Sequence, residues 1–161
     1  MQNTALAAEN TTLVHSFPVA LIVGVFNREI TQNLQEGTIA QLVKRGINKQ
    51  DIHVYEVPGA IEIPLIAKRL AMQKKIESII TLGSVIRGDT SHYDVVCNMV
   101  SQGCMQVSLE HNIPVLLGVL TTENEEQAWD RLGGKHGHKG TEVANAAISM
   151  HQLLNQLAQN L

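Results

Sequence analysis

Residues 87–94 (RGDTSHYD) concentrate groups that could bind an anion and transfer a proton. Gly88 permits a tight turn, and the backbone amides of Asp89 and Thr90, with the Thr90 hydroxyl, could form an anion cradle at a helix start. His92 follows directly, and because an imidazole titrates near neutral pH it can act as an acid or a base. Turns and helix caps use the same residue types, so the local pattern also allows a purely structural role.

A second polar segment, residues 131–140 (RLGGKHGHKG), offers cations within a glycine-rich hinge. Arg131 or Lys139 could neutralise a phosphate, although solvated surface charge is the alternative. His136 and His138 alternate in a way that could suit a metal ion. We find no cysteine or acidic partner for them nearby, so no metal site is predicted.

Two further positions could contact an organic ligand. Glu62 lies between apolar neighbours at a predicted helix start. Its carboxylate could either complement the helix dipole or accept hydrogen bonds from a polyol. Phe26, one of two phenylalanines in the chain, ends a predicted strand. It could stack on a flat heterocycle or belong to the hydrophobic core.

Four apolar or alternating segments predict β-strands, at residues 19–26, 51–57, 76–86 and 114–120. Strands joined through helices need right-handed crossovers, which place them in a parallel sheet covered on both faces. The sequence therefore predicts an α/β fold, a flavodoxin-like three-layer α/β/α sandwich with a four-stranded parallel sheet. Ligands of such sheets bind beyond the carboxyl ends of the strands. The polar segments that follow the strands should therefore meet at one edge.

The helices are predicted from apolar residues at helical spacing. Two cover residues 28–45 and 60–74, and a capping-box pattern at residues 122–125 opens a short one. The inner face of a third helix, which begins near residue 92, is predicted to be Val96, Met99, Val100, Gly103 and Val107. The final helix carries one apolar stripe, formed by Val143, Ala146, Ala147, Met150, Leu154, Leu157 and Leu161.

The bulk properties exclude several classes of protein. A net charge of −3 with scattered Lys and Arg argues against nucleic-acid binding. A membrane-spanning helix needs about 20 apolar residues, and the longest apolar run covers only residues 19–26. We expect a flexible N-terminal arm at residues 1–16, without the pattern of a secretory signal, and a single domain at residues 17–161. Cys97 and Cys104 are interpreted as buried thiols in a reducing compartment, and the expected location is the cytoplasm.

Five segments, taken together and in order, resemble the 6,7-dimethyl-8-ribityllumazine synthase family of riboflavin biosynthesis. The match covers roughly residues 17–154, and its segments are FNREIT (26–31), VPGAIEIP (57–64), GSVIRGDTSHYD (83–94), PVLLGVLTTENEEQA (114–128) and RLGGKHGHKG (131–140). The resemblance implies a transferase that condenses 5-amino-6-ribitylaminopyrimidinedione with 3,4-dihydroxy-2-butanone 4-phosphate and releases phosphate and water. It also implies that no metal or organic cofactor is needed.

The resemblance further implies a role for each candidate residue, with His92 as the catalytic group that transfers protons. Arg131 would bind the phosphate, and Lys139 lies in the same hinge. The other implied substrate-binding residues are Phe26 as the stacking ring, Ala60, Ile61 and Glu62 along the ribityl chain, Ser84, Val85 and Ile86 beside the heterocycle, Asp89 and Thr90 in the phosphate loop, and Leu117. Two positions depart from the family pattern: Leu117 stands where phenylalanine is frequent, and His138 where asparagine is frequent.

Members of the family form pentamers whose sites are shared between neighbouring subunits, and some assemble into shells of 60 subunits. The short hinge at residues 133–140 resembles that of shell-forming members, so we expect a 60-mer, with the pentamer as the alternative. Leu117, Arg131 and Lys139 would come from one subunit, and His92 and Phe26 from the next. Two competing functions stay open, a non-catalytic flavin- or lumazine-binding module and a structural shell protein.

Overall fold

The computed structural model describes residues 14–160. The predicted flexible arm therefore lies outside the described residues, except for its last three positions, and the domain boundaries stay a prediction. Two of those positions, Val14 and Ser16, contact the body of the protein. Val14 N donates a hydrogen bond of 2.9 Å to Arg45 O, and the Ser16 hydroxyl donates to the Asp51 carboxylate.

Among the described residues, no helix has the length and apolar character needed to cross a membrane.

Four parallel strands form the central sheet in the spatial order β2-β1-β3-β4. They are β1 (Val19–Gly24), β2 (Ile52–Val57), β3 (Ser78–Ile86) and β4 (Val115–Thr122). β1 and β3 are neighbours in the middle of the sheet and are buried along nearly their whole length, as expected for strands covered on both faces. The predicted four-stranded parallel sheet and flavodoxin-like α/β architecture are confirmed.

In the described part of the chain, five α-helices cover the sheet: α1 (Arg28–Lys44), α2 (Ile63–Gln73), α3 (His92–His111), α4 (Glu125–Asp130) and α5 (Lys139–Gln159). α1 and α5 pack together on one face of the sheet, and α2 and α3 pack together on the other. Short 3-10 turns at Lys49–Asp51 and Ala60–Glu62 precede β2 and α2.

The sheet separates two hydrophobic cores, because successive residues of a strand point to opposite faces. On one side, Leu21 belongs to a cluster with Leu34 of α1 and Ile148 of α5. On the other side, Ile22 belongs to a cluster with Ile63 of α2. All five side chains are fully buried, and each burial of this size contributes about 1.5–3 kcal/mol. The two cores thus hold the central strands between the two layers of helices.

Met99, which the sequence places on the inner face of α3, is exposed instead, as are two members of the apolar stripe of α5. Met99 of α3 is 51% exposed, and Met150 and Leu157 of α5 are 39% and 52% exposed. The buried face of α5 includes Val143, Ala144, Ala147 and Ile148. Periodicity detects an apolar stripe but cannot tell whether the same chain covers it, so the inner-face prediction for Met99 is wrong. Leu161, the last member of the predicted stripe, lies outside the described residues.

The two free cysteines differ in their surroundings. Cys104 is buried, as predicted, and burial raises the pKa of its thiol to about 11. It is therefore protonated and unreactive at neutral pH. Cys97 is only half-buried, so the prediction of a buried thiol is wrong at that position.

Two local details after β4 differ from the predicted pattern. The cap of α4 is Asn124, whose side chain accepts a hydrogen bond of 2.9 Å from Gln127 N. The Gln127 side chain in turn accepts from Glu123 N, so the cap lies two residues later than the predicted box. The glycine-rich hinge forms a small antiparallel hairpin of β5 (Leu132–Gly134) and β6 (Gly137–His138), which the glycines alone did not indicate.

Candidate active site

A cavity of about 430 Å³, which we name the first cavity, opens at the carboxyl ends of β1 and β3. Its wall includes most of the predicted site residues, namely Phe26, Ala60, Ile61, Glu62, Ser84, Val85, Ile86, Thr90 and His92. They come from strand exits that are far apart in the sequence. The parallel sheet brings them together because its strands all end at this edge.

Phe26 stands at the exit of β1 with 72% of its surface exposed. The next residue, Asn27, adopts the left-handed conformation (φ 59°, ψ 51°), which asparagine tolerates better than most residues. The Asn27 side chain donates a hydrogen bond of 3.0 Å to Ser84 O and so ties the exit of β1 to that of β3. The Phe26 ring is turned out of the core, and the core alternative for this residue is wrong.

The 3-10 turn Ala60–Glu62 forms another part of the wall. This segment approaches β1 so closely that a β-carbon at Gly24 would lie 3.2 Å from the carbonyl carbon of Gly59. Glycine at position 24 therefore allows the turn to reach the cavity. Glu62 stands at the N-cap of α2, but its carboxylate makes no capping hydrogen bond. Its oxygens are not committed to the start of the helix.

The end of β3 contributes Ser84, Val85 and Ile86 to the cavity wall. Val85 and Ile86 are half-buried. The Ser84 hydroxyl is buried and has no hydrogen-bond partner among the described residues. Because buried hydroxyls are nearly always paired, this strand end carries a polar group whose partner the described chain does not supply.

Arg87 follows β3, and the loop of residues 88–91 then leads to His92, the first residue of α3. His92 is exposed and lines the first cavity. Thr90 Oγ1 accepts a hydrogen bond of 3.3 Å from His92 N, so this hydroxyl helps to start the helix. This contact agrees with the purely structural role that the sequence analysis kept as an alternative. Asp89 is exposed and is not part of the cavity wall.

A second cavity, of about 420 Å³, lies at the exit of β4 and includes Arg131 and Lys139 in its wall. Arg131 Nη2 donates to both carboxylate oxygens of Glu142, at 3.0 and 2.8 Å, and Nη1 donates to His136 O. Lys139 Nζ lies 3.7 Å from Glu142 Oε2. The two cations thus share a carboxylate that the sequence analysis overlooked. The sequence pattern that could have revealed Glu142 is an acidic residue in the first turn of α5, three positions after Lys139.

The hairpin histidines have separate local partners. His136 pairs with Asp130, so the sequence analysis was wrong to find no acidic partner, and this hydrogen bond lowers the pKa of the Asp130 carboxyl. His138 Nδ1 accepts a hydrogen bond of 3.1 Å from Gly140 N and caps α5. The His138 ring packs so tightly on Gly37 of α1 that a β-carbon there would overlap it. Among residues 14–160, no group of three or more His, Cys, Asp or Glu is placed to hold a metal ion.

A single chain does not bring all the predicted groups into one space. Phe26 and His92 line the first cavity, whereas Arg131 and Lys139 line the second. Leu117 lies on β4 at the edge of the sheet, is 38% exposed, and lines neither of these two cavities. The predicted stacking and proton-transfer groups are therefore adjacent, but the predicted phosphate ligands are separate from them.

Two residues to which the sequence analysis gave no role stand beside the first cavity. Tyr93 lines it, and burial raises the pKa of its hydroxyl. The Arg87 guanidinium lies 4.1 Å from the centre of the Tyr93 ring and forms ion pairs with Asp94 and Glu123, at 3.3 and 2.8 Å. These contacts join the first turn of α3 and the residue after β4 to Arg87, and the pairing with Glu123 leaves no local pattern in the sequence.

Comparison with known proteins decides the family. The family model described as 6,7-dimethyl-8-ribityllumazine synthase matches residues 16–155. The chain belongs to the 6,7-dimethyl-8-ribityllumazine synthase family. Two relatives of that name, from Coxiella burnetii strains RSA 493 / Nine Mile phase I and Dugway 5J108-111, are each 47% identical over 142 residues. The alignment covers 88% of this chain and 94% of each relative. The resemblance drawn from the five sequence segments, to a transferase of the lumazine synthase family, is confirmed.

Proposed function

We propose that the chain condenses 5-amino-6-ribitylaminopyrimidinedione with 3,4-dihydroxy-2-butanone 4-phosphate to give 6,7-dimethyl-8-ribityllumazine, phosphate and water. The observation that carries the proposal is the family match over residues 16–155. The first cavity supports it, because an exposed aromatic ring, a carboxylate and an imidazole line one space at the strand exits. The reaction needs orientation and proton transfer rather than a strong protein nucleophile.

The pyrimidine and its ribityl chain occupy the first cavity in this proposal. The exposed Phe26 ring stacks on the flat heterocycle, and the strand end Ser84–Ile86 borders it. Glu62 accepts hydrogen bonds from the ribityl hydroxyls, beside Ala60 and Ile61. A volume of about 430 Å³ lies within the range of roughly 300–1,000 Å³ that is usual for small-molecule sites.

His92 transfers protons in the proposed mechanism. The 5-amino group of the pyrimidine attacks the ketone carbonyl, and the adduct loses water to form an imine. Removal of the proton from the hydroxyl-bearing carbon and departure of phosphate together leave an enol that tautomerises to a ketone, and the ribitylamino nitrogen then closes the ring on that ketone with loss of another water. Each of these steps moves protons, which an imidazole both accepts and donates near neutral pH. His92 is the exposed imidazole on the cavity wall.

The second cavity supplies the cations for the phosphate. Arg131, with Lys139 beside it, compensates the negative charge of the departing group, and the loop with Asp89 and Thr90 closes the other side. Because Arg131 and His92 line different cavities, a complete site requires the second cavity of one subunit to face the first cavity of its neighbour. Contacts of this head-to-tail kind close into a ring, and we propose five subunits in that ring because the resemblance to the family implies a pentamer.

Within this assembly, Leu117 belongs to the same side of the shared site as Arg131. The short hinge at residues 133–140 favours a shell of 60 subunits over an isolated pentamer. Sedimentation velocity of the purified protein distinguishes a shell, a pentamer and a monomer. A monomer that turns over both substrates would contradict the shared site. The cytoplasmic location stays a prediction.

The decisive experiment mixes the purified protein with both substrates and follows the absorbance of the lumazine product together with the release of inorganic phosphate. We expect product and phosphate to appear in equal amounts and faster than without protein. Lumazine binding without turnover would favour the non-catalytic module instead. An assembled protein that gives no product at any substrate concentration would favour a structural shell.

A further inference from the structure

We propose that Arg87 is a positioning residue, which holds the loop of residues 88–91 and the first turn of α3 so that Thr90 and His92 keep their places on the wall of the first cavity. Arg87 is not itself part of that wall, so it acts through the residues that it holds. The inference rests on the proposed function, because it concerns how the phosphorylated substrate is used in this cavity.

The loop between β3 and α3 makes few contacts of its own. Residues 88–91 are exposed, and a β-carbon at Gly88 would meet no heavy atom within 4 Å. The hydrogen bond from His92 N to Thr90 Oγ1 is long, at 3.3 Å, and the side chain of Ser91, the N-cap of α3, makes no capping hydrogen bond. A loop held so loosely needs an anchor if its side chains are to keep one geometry.

Arg87 contacts both sides of this loop. Its Nη1 and Nη2 each lie 3.3 Å from one carboxylate oxygen of Asp94. The Arg87 side chain therefore links the position that precedes the loop to the first turn of α3, which follows it. Its Nε donates to Glu123 at 2.8 Å, and its backbone N donates to Thr122 O at 2.9 Å. These two bonds fix the bridge to the exit of β4. The Tyr93 ring packs against the guanidinium, and Arg87 Cζ lies 4.1 Å from the centre of that ring.

The shape of the guanidinium, more than its charge, suits it to this role. An isolated exposed ion pair contributes little to stability, because water screens it and two long side chains must be ordered. Here a planar group meets Asp94 with two nitrogens, Glu123 with a third and the Tyr93 ring with its face. A lysine ammonium cannot reproduce these contacts together. R87K should therefore keep the fold and the charge but loosen the loop.

The first test compares the steady-state kinetics of R87K and R87Q with those of the wild type. Displacing a reacting group by about 1 Å can cost up to ~100-fold in rate. For a loosened loop we expect kcat to fall about tenfold and KM for the phosphorylated substrate to rise about tenfold. KM for the pyrimidine should stay within about twofold, because its predicted contacts lie mainly on other elements.

K68A is the matched control for these variants. It breaks the ion pair between Lys68 and Glu110, 3.6 Å apart, which joins α2 to the far end of α3 and is exposed like the Arg87 bridge. K68A should leave kcat and both KM values at their wild-type levels. The control separates an effect on the loop from a general effect of removing an ion pair from α3.

The second test measures amide hydrogen exchange in the assembled protein. In R87K, the amides of residues 88–94 should exchange about tenfold faster, while those of β1 and β3 keep their wild-type rates. D94N should show the same pattern. Combining R87K with D94N should add little to either single change, because both remove the same bridge.

Wild-type kinetics and wild-type exchange at residues 88–94 in R87K would overturn the positioning role. The role would also be overturned if activity fell only in proportion to the amount of folded protein, with KM unchanged. A residue that only stabilises the fold would give that result. If the wild type itself makes no product from the two substrates, the proposed function fails instead. The exchange experiment then decides on its own whether Arg87 holds the loop.

Discussion

The two cavities at the carboxyl edge of the sheet are built in different ways. The first is formed by strand exits and their backbone, which hydrogen bonds such as that from Asn27 to Ser84 O hold together. The second is lined by the end of β4, by α4 and by the charged groups that follow, where Arg131 is paired with Glu142. The fold therefore fixes the shape of the first cavity, whereas the second depends on a charge arrangement that a phosphate must share or displace.

This difference predicts which property each substitution changes. Changes in the first cavity should alter the binding of the pyrimidine and the chemical steps. Changes in the second cavity should alter the use of the phosphorylated substrate, and their effects should depend on ionic strength because the groups there are charged and partly exposed.

R131A should have the largest effect. It removes the main positive charge opposite the phosphate, so kcat/KM for the phosphorylated substrate should fall about 10³-fold, while KM for the pyrimidine changes little. Steady-state kinetics with each substrate varied in turn measure both. R69A, at an exposed arginine of α2, is the control for the loss of one positive charge. A defect confined to the pyrimidine would show that Arg131 does not bind the phosphate.

H92A tests the chemistry of the first cavity and should have the second-largest effect on turnover. Loss of proton transfer should lower kcat about 10²-fold. Assembly should be intact, because His92 is exposed and makes no contribution to either core. Kinetics across the full pH range and sedimentation velocity provide the readouts. Turnover that is unchanged across that range would refute the proton-transfer role.

F26A tests the binding surface of the first cavity. Loss of an aromatic contact costs about 0.5–1.5 kcal/mol, so the Kd of the pyrimidine should rise about two- to twelvefold. The free energy of unfolding should change by less than about 0.5 kcal/mol, because the ring is 72% exposed. Calorimetric titration and denaturant unfolding measure these values, and F26Y, which keeps a ring, should bind normally. Equal affinities in F26A and the wild type would exclude stacking.

E142Q sharpens the description of the second cavity. Glutamine keeps an oxygen acceptor for Arg131 but removes the negative charge that the two cations share. KM for the phosphorylated substrate should therefore fall about threefold at low salt, and the difference should shrink as salt is added. E110Q, in an exposed ion pair with Lys68, is the control. A rise in KM would mean that Glu142 chiefly orients Arg131.

The smallest effect concerns the pH dependence of stability near the second cavity. Burial lowers the pKa of His138 below its usual value, with Glu142 opposing and Arg131 adding to the shift. The unfolded chain then binds more protons around the ordinary histidine pKa, so stability falls as the pH drops through that value. Protonation also removes the acceptor for Gly140 N.

H138N provides the test of that pH dependence. Asparagine can still cap α5 but does not titrate, so the melting temperature of H138N should depend less on pH than that of the wild type. Thermal unfolding at a series of pH values measures this. An unchanged slope would assign the pH dependence to other groups, such as His151, whose pKa burial also lowers.

The sheet and the first cavity could be predicted because their signals are local. β1 and β3 are nearly continuous apolar runs, and the helices between them follow the helical period. Since parallel strands all end at one edge, the residues after each strand had to meet there. That rule was sufficient to bring Phe26, Glu62 and His92 together without coordinates.

The remaining features depend on contacts between distant positions. Arg87 reaches Glu123 across 36 residues, and Arg131 reaches Glu142 across a hairpin where the four glycines predicted only a hinge. Helical periodicity also could not show that Met99 faces outward. For each of these residues, the sequence gives the type of side chain but not the contacts that it makes, because the packing of whole elements determines those contacts.

The contact between Gly37 and His138 restricts how this chain can change over generations. The imidazole fills the space that a β-carbon at position 37 would need, so alanine there is excluded as long as histidine stays at position 138. Asparagine at position 138 is shorter than histidine, so it should relax that restriction. The two positions should therefore covary among relatives, with larger residues on α1 appearing only where the hairpin carries the shorter side chain.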